Sequence, residues 1–177
     1  MINEILVDPN GANNFDTDGN GTASSTDEFV EFYNSSSSAI DISGLEIWDK
    51  GVGNWFTFPP GTILQPGAHA MAMAGVQSGG SLPTGGANDL FFDAGRGAPA
   101  INNGGDNLTL YDPASDTFIQ ATFNGDTLDD PTTYSGFSST ATRNAREISQ
   151  FPNLAPVRIR AGALGAARPR RDLLVSQ

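Results

Sequence analysis

Residues 16–27 read Asp-Thr-Asp-Gly-Asn-Gly-Thr-Ala-Ser-Ser-Thr-Asp. Counted from Asp16, oxygen-bearing side chains fall at positions 1, 3, 5, 9 and 12, with Gly21 at position 6. This is the spacing of a loop that wraps a hard divalent cation. Ca²⁺ takes six to eight oxygens at about 2.3–2.6 Å, so alternate side chains must point inward and a glycine must allow the sharp turn. Asp16, Asp18 and Asn20 are expected to give side-chain oxygens and Thr22 its backbone carbonyl. Ser24 would give a direct or water-mediated contact, and Asp27 the closing carboxylate. Asp27 has a shorter arm than the glutamate usual at position 12, which leaves part of the shell to water or to a neighbour such as Asp8 or Glu28. Asn14 opens a second, overlapping register. Without a cation three carboxylates repel one another, so the expected role of Ca²⁺ is structural, and the alternative is a solvated acidic turn.

The elements that must hold this loop are strands. Short runs rich in β-branched and aromatic residues are each closed by Gly, Pro, Asn, Asp or Ser. They span 2–7, 28–33, 39–49, 54–58, 68–73, 90–92, 107–111 and 117–123. Eight short antiparallel strands without a long helical period predict an all-β sandwich. The acidic loop then joins the first two strands, flanked by strands rather than by the helices of an EF-hand.

Two hairpins can be recognised, and one of them can be registered. A turn at Asp112–Asp116, with Pro113 presetting the backbone, joins 107–111 to 117–123. A loop at 50–53 sets Trp48 opposite Trp55, Ile47 opposite Phe56 and Glu46 opposite Thr57. Alternation then sends Ile47 and Phe56 to the core and both tryptophans to the outer face. There Trp48 and Trp55 are either covered by another segment or form an exposed pair for a sugar ring or a protein.

Other chemistry is thinly represented. The chain of 177 residues has no cysteine, which excludes thiol catalysis, disulfides and Cys-ligated zinc. His69 is the single histidine and lies in an alternating Ala-His-Ala-Met run that reads as a strand, with a surface or packing role rather than a catalytic one. There is no nucleophile elbow, phosphate loop or HExxH motif, and no spacing singles out an acid/base pair among 20 carboxylates. No run approaches the roughly 18 apolar residues of a membrane span. No signal peptide is recognisable, so a protein working outside the cell would be represented here by a mature or excised fragment.

Charge divides the chain. Residues 1–153 carry 19 acids against Lys50, Arg96, Arg143 and Arg146, a net −15, whereas 154–177 carry five arginines against Asp172, a net +4. The acidic part excludes a sequence-general grip on nucleic acid.

Five motifs in order, Asn3-Glu-Ile-Leu-Val-Asp8-Pro, Asp27-Glu-Phe-Val-Glu-Phe-Tyr-Asn34, Ile42-Ser-Gly-Leu, Phe58-Pro-x-Gly-Thr-x-Leu-x-Pro-Gly67 and Gly105-Asp-x-Leu-Thr-Leu-Tyr111, together resemble the bacterial lamin-tail domain. The resemblance covers residues 2 to about 153. It implies an immunoglobulin-like β-sandwich of secreted or surface proteins, often beside hydrolase or nuclease domains, serving attachment or recognition rather than catalysis. The acidic insert resembles the calcium-type insert of bacterial members. The implied partner is a protein or carbohydrate outside the cell. The alternatives are a carbohydrate-binding module using Trp48 and Trp55, or part of a secreted hydrolase or nuclease. The chain thus divides into a sandwich domain, 1–153, and an Arg/Ala/Pro-rich tail, 154–177. The tail is either irregular sequence read in a shifted frame or a genuine basic tail for an acidic surface.

Overall fold

The computed structural model describes residues 1–11, 14–124 and 126–151, with 145–151 described by backbone alone. Eleven strands form among them: β1 Ile2–Leu6, β2 Phe29–Tyr33, β3 Ile40–Asp41, β4 Glu46–Asp49, β5 Gly53–Thr57, β6 Ile63–Leu64, β7 His69–Met73, β8 Leu90–Asp93, β9 Asn107–Asp112, β10 Thr117–Phe123 and β11 Thr142–Phe151. One sheet has the order β1-β2-β7-β8 and the other β11-β10-β9-β4-β5, with β3-β6 as a separate ribbon. The two large sheets meet through one core. Val30, Phe32, Ala70 and Ala72 come from the first sheet, and Ile47, Trp55, Leu108, Ala121 and Phe123 from the second. This is the expected immunoglobulin-like sandwich.

The outer sheet faces are also apolar, which explains why β2 and β7 read as continuous hydrophobic runs rather than alternating ones. On the first sheet, Leu6, Phe29, Met71 and Met73 are covered by Phe15, Val76 and Leu82, with Phe91 of β8 beside them. Phe15 opens the acidic insert, so the insert is anchored to this face. On the second sheet, Trp48, Tyr111 and Phe118 lie beneath Tyr134, Phe137 and Ala141.

Several features differ from the sequence expectation. The run 39–49 is two strands, because the backbone turns at Gly44 in the left-handed region (φ +75°). β6 and β11 are additional. Two pairings, β7 with β8 and β10 with β11, are parallel rather than antiparallel. The connections 74–89 and 124–141 are long enough to return the chain for such pairing.

The β4–β5 hairpin keeps Glu46 opposite Thr57 and Ile47 opposite Phe56, but then slips so that Trp48 faces Asn54 and Asp49 faces Gly53. The loop holds three residues rather than four. Asp49 Oδ1 accepts from the Gly51 and Val52 amides (2.8 Å each), and Gly53 takes φ +82°, the conformation that closes a three-residue hairpin loop. Trp55 absorbs the slip and turns inward. The second hairpin forms over the expected runs, but Asp112 joins β9 and faces Thr117, with Phe118 opposite Tyr111, so the turn is 113–116 rather than 112–116. The domain boundary at 153 and the tail 154–177 lie outside the described residues.

Candidate metal centre

The acidic insert folds by side-chain to backbone bonding. Asp16 Oδ1 accepts from the Gly19 and Asn20 amides (2.8 and 3.2 Å) and its Oδ2 from Gly21 (2.7 Å). Asp18 Oδ1 accepts from Asn20 (3.0 Å), and Asn20 Oδ1 from Thr22 (2.7 Å). Gly19 and Gly21 both take positive φ, +70° and +95°, which lets the chain wrap around these acceptors. Asp27 closes the loop from the far side: its Oδ1 accepts from Thr17 and Asp18 (2.8 and 3.1 Å), and its Oδ2 from the Ser24 amide (2.7 Å) and hydroxyl (3.0 Å).

The result is convergence. Ligand oxygens of Asp16, Asp18 and Asp27 all lie within 4.8 Å of one another, with Asp18 and Asp27 buried. Each carboxylate oxygen has two lone pairs. Asp16 Oδ2 and Asp18 Oδ1 each receive a single protein donor and can accept a cation as well. Asp27 differs, since both its oxygens already take two donors; binding through it requires the Ser24 hydroxyl to turn away. Asn20 lies part-buried beside Asp18, donating weakly to Asp18 Oδ2 (3.4 Å). Thr22 sits on the exposed outer turn. The donor set, hard oxygens only, fits Ca²⁺.

Asp8 and Glu28 do not join this cluster. Glu28 Oε2 accepts instead from the Ala100 and Ile101 amides (2.8 and 3.1 Å), and burial raises its carboxyl to about 7 against the pull of those amides and of Arg96. Asp8 Oδ1 accepts from Asn103 Nδ2 (2.9 Å).

Two features of the centre escape the sequence reading. Ser24-x-x-Asp27 is a capping box on the 3-10 turn Ser25–Asp27, so both residues are structural staples as well as candidate ligands. The signature is readable in sequence but is masked by the cation spacing it overlaps. The second feature is a wall from the β7–β8 connection. The Gln77 amide donates to Asp18 Oδ2 (2.7 Å) and Ser81 N–H to the Asp18 carbonyl (2.8 Å). The Gln77 side-chain amide reaches the Ser24 hydroxyl and Thr26 Oγ1 (2.6 Å). No local signal marks Gln77, which is remote in sequence from the loop it seals.

The exposed tryptophan pair is overturned. Trp55 is 5% and Trp48 7% exposed, and the slip in β5 puts them on opposite faces, Trp55 in the main core and Trp48 against Phe137 (5.1 Å, edge-on). His69 is in β7 as expected, with its ring against Tyr33 (4.8 Å) and Nδ1 3.3 Å from Asp89 Oδ1.

A family model described as Lamin Tail Domain matches residues 1–130. The chain belongs to the lamin tail domain family. The sandwich and the ordered motifs of this lamin tail domain agree with that membership, and the family's immunoglobulin-like fold fits a non-catalytic module. No curated protein and no solved structure matches the chain. Among the described residues of the domain, no helix is long and apolar enough to cross a membrane.

Proposed function

We infer that this lamin tail domain is a calcium-stabilised recognition or attachment module, non-catalytic, working outside the cell or at its surface as part of a larger protein. One observation carries the reading: three carboxylates converge within 4.8 Å in a loop whose amides hold them in place, with no Lys or Arg among the residues that bond them. Like charges held this close favour a cation. A site of three carboxylates on a surface loop suits the high free Ca²⁺ outside cells, where modules bind at about 10⁻⁴–10⁻³ M. Ca²⁺ here fastens the insert between β1 and β2 to the β7–β8 connection. The acidic sandwich disfavours nucleic acid, and a protein or carbohydrate is the expected partner. A tryptophan platform for sugar has no support, since both rings are buried.

Thermal unfolding with and without Ca²⁺ tests the metal. A ligand that binds only the folded state adds RT ln(1 + [L]/Kd), about 1.4 kcal/mol at ten times its Kd. The melting temperature of the wild type rises in millimolar Ca²⁺, and the double variant Asp16→Ala, Asp18→Ala loses the rise. An unchanged wild-type melt refutes the site.

A further inference from the structure

Asp49 ends β4 and Asp106 immediately precedes β9. The β4–β9 register sets Trp48 opposite Thr109. One step further, Asp49 is level with Leu108, so Asp106 is its diagonal neighbour on the same sheet face. That face is the inner one, since Ile47 and Leu108 belong to the main core. Asp49 is 2% and Asp106 7% exposed.

Three of the four carboxyl oxygens are accounted for by backbone donors. Asp49 Oδ1 takes the Gly51 and Val52 amides; Asp106 Oδ2 takes Asn102 (2.7 Å) and its Oδ1 takes Asn107 (2.8 Å). Asp49 Oδ2 is buried with no partner. The Asp106 carboxyl lies within its hydrogen-bonding reach. Two ionised carboxylates offer only acceptors to each other, and a buried acceptor facing another acceptor is unfavourable twice over, by lost bonding and by repulsion.

Among the described residues, the bonds to the two carboxyls come from backbone amides and none from a Lys or Arg side chain. Lys50 points to solvent and pairs with Asp129 (3.4 Å). Tyr134 Oη bonds Asp129 Oδ2 (3.3 Å), and Asp126 faces Asn107. Arg143 is held by Gln120 Oε1 and the Asp129 carbonyl (2.9 and 2.8 Å), and a proton is the simplest species that converts the Asp49–Asp106 contact into a bond.

We propose that Asp49 and Asp106 hold one proton between them and that this shared proton fastens the β4–β5 turn to the corner at residues 102–106. The raised Asp106 carboxyl, at about 7 through burial and then through its bond to Asp49 and the Asp49 charge, agrees with this. The folded state then keeps a proton that the unfolded chain gives up near pH 4. The fastening is complete below that value and is lost as pH rises toward about 7.

Carboxyl ¹³C NMR of the full chain tests the proposal. One carbon of the pair is expected to titrate near neutrality. Amide exchange at Gly51, Val52, Asn102 and Asn107, corrected for intrinsic rates, should rise up to about tenfold per pH unit between the ordinary aspartate value and neutrality, then level off. Asp49→Asn supplies the missing donor permanently, because Nδ2 can bond Asp106 while Oδ1 keeps the Gly51 and Val52 amides. This variant should lose the neutral titration and the pH-dependent exchange, whereas Asp49→Ala should weaken the fold at every pH. The proposal is overturned if both carbons titrate as ordinary aspartates. It also fails if Asp49→Asn is as damaging as Asp49→Ala, or if Ca²⁺ shifts the two resonances, which would assign the space to a cation.

Discussion

Gly80→Ala separates the wall of the candidate metal centre from the loop itself. A Cβ at residue 80 would lie 2.3 Å from Asp18 Cγ and 2.4 and 2.7 Å from its two oxygens, overlaps that no side chain tolerates. The carboxylate or the Gln77–Ser81 wall must move. Asp18 is buried and accepts from the amides of Gln77 and Asn20 (2.7 and 3.0 Å), so displacement breaks at least one bond to a charged acceptor. Such a bond contributes about 1.5–3 kcal/mol. Against this, Gly→Ala at a position without positive φ returns about 0.4–1 kcal/mol through the unfolded chain. The balance is a loss of about 1–2 kcal/mol, or about 2–8 °C in melting temperature for a domain of this size. Calorimetric titration should show weaker Ca²⁺ binding, since Asp18 no longer meets Asp16 and Asp27. Gly79→Ala is the control: it is strained at φ +86° but has nothing within 4 Å of its added Cβ, so it destabilises without changing Ca²⁺ affinity. If Gly80→Ala binds Ca²⁺ like the wild type and melts with it, the wall does not position Asp18 and the reasoning fails.

Phe137 contacts Trp48, Tyr111, Phe118 and Tyr134 edge-on or tilted at 4.6–6.1 Å, so Phe137→Ala should destabilise by about 3–5 kcal/mol in denaturant titration. Because Trp48 and Trp55 are buried on opposite faces, their emission should be blue-shifted and poorly quenched by iodide, and no oligosaccharide should quench it directly; strong iodide quenching would show that the rings are open to solvent.

Legibility of the fold followed the range of each interaction. The 107–123 hairpin was readable because Asp112-Pro113 and the Leu108/Leu110 alternation are local. The 46–57 hairpin was readable only as far as Ile47 and Phe56. Beyond them, Asp49 capping its own turn and Gly53 entering the left-handed region shortened the loop by one residue, and that single step sent Trp55 to the core. β11 was missed because Thr142–Phe151 mixes charged and apolar residues, and its pairing with β10 depends on a long crossover that no local pattern encodes. At the centre, Asp16, Asp18 and Asp27 were readable from spacing. The exclusion of Glu28 and the contribution of Gln77 were not, since both depend on segments 51 to 73 residues away in the chain.

The acidity of the sandwich has a structural reading that its net charge conceals. Strands this short leave many loop amides without ladder partners, and each buried or half-buried amide needs an acceptor. Aspartates supply them: Asp16, Asp18, Asp27, Asp49, Asp89, Asp93, Asp106 and Asp130 all accept from backbone N–H groups in connections rather than strands. Short side chains with two acceptor oxygens suit turns, where a longer glutamate would overshoot the neighbouring amides. Most of these carboxylates are therefore hydrogen-bonded within the fold while keeping their charge. The loop at residues 16–27 and the Asp49–Asp106 pair are two places where acceptors meet acceptors. Those are two points at which a backbone of aspartate-filled turns has room for something besides its own amides: the proposed divalent cation where three carboxylates meet in the insert, and the proposed single proton where two meet at the edge of the core.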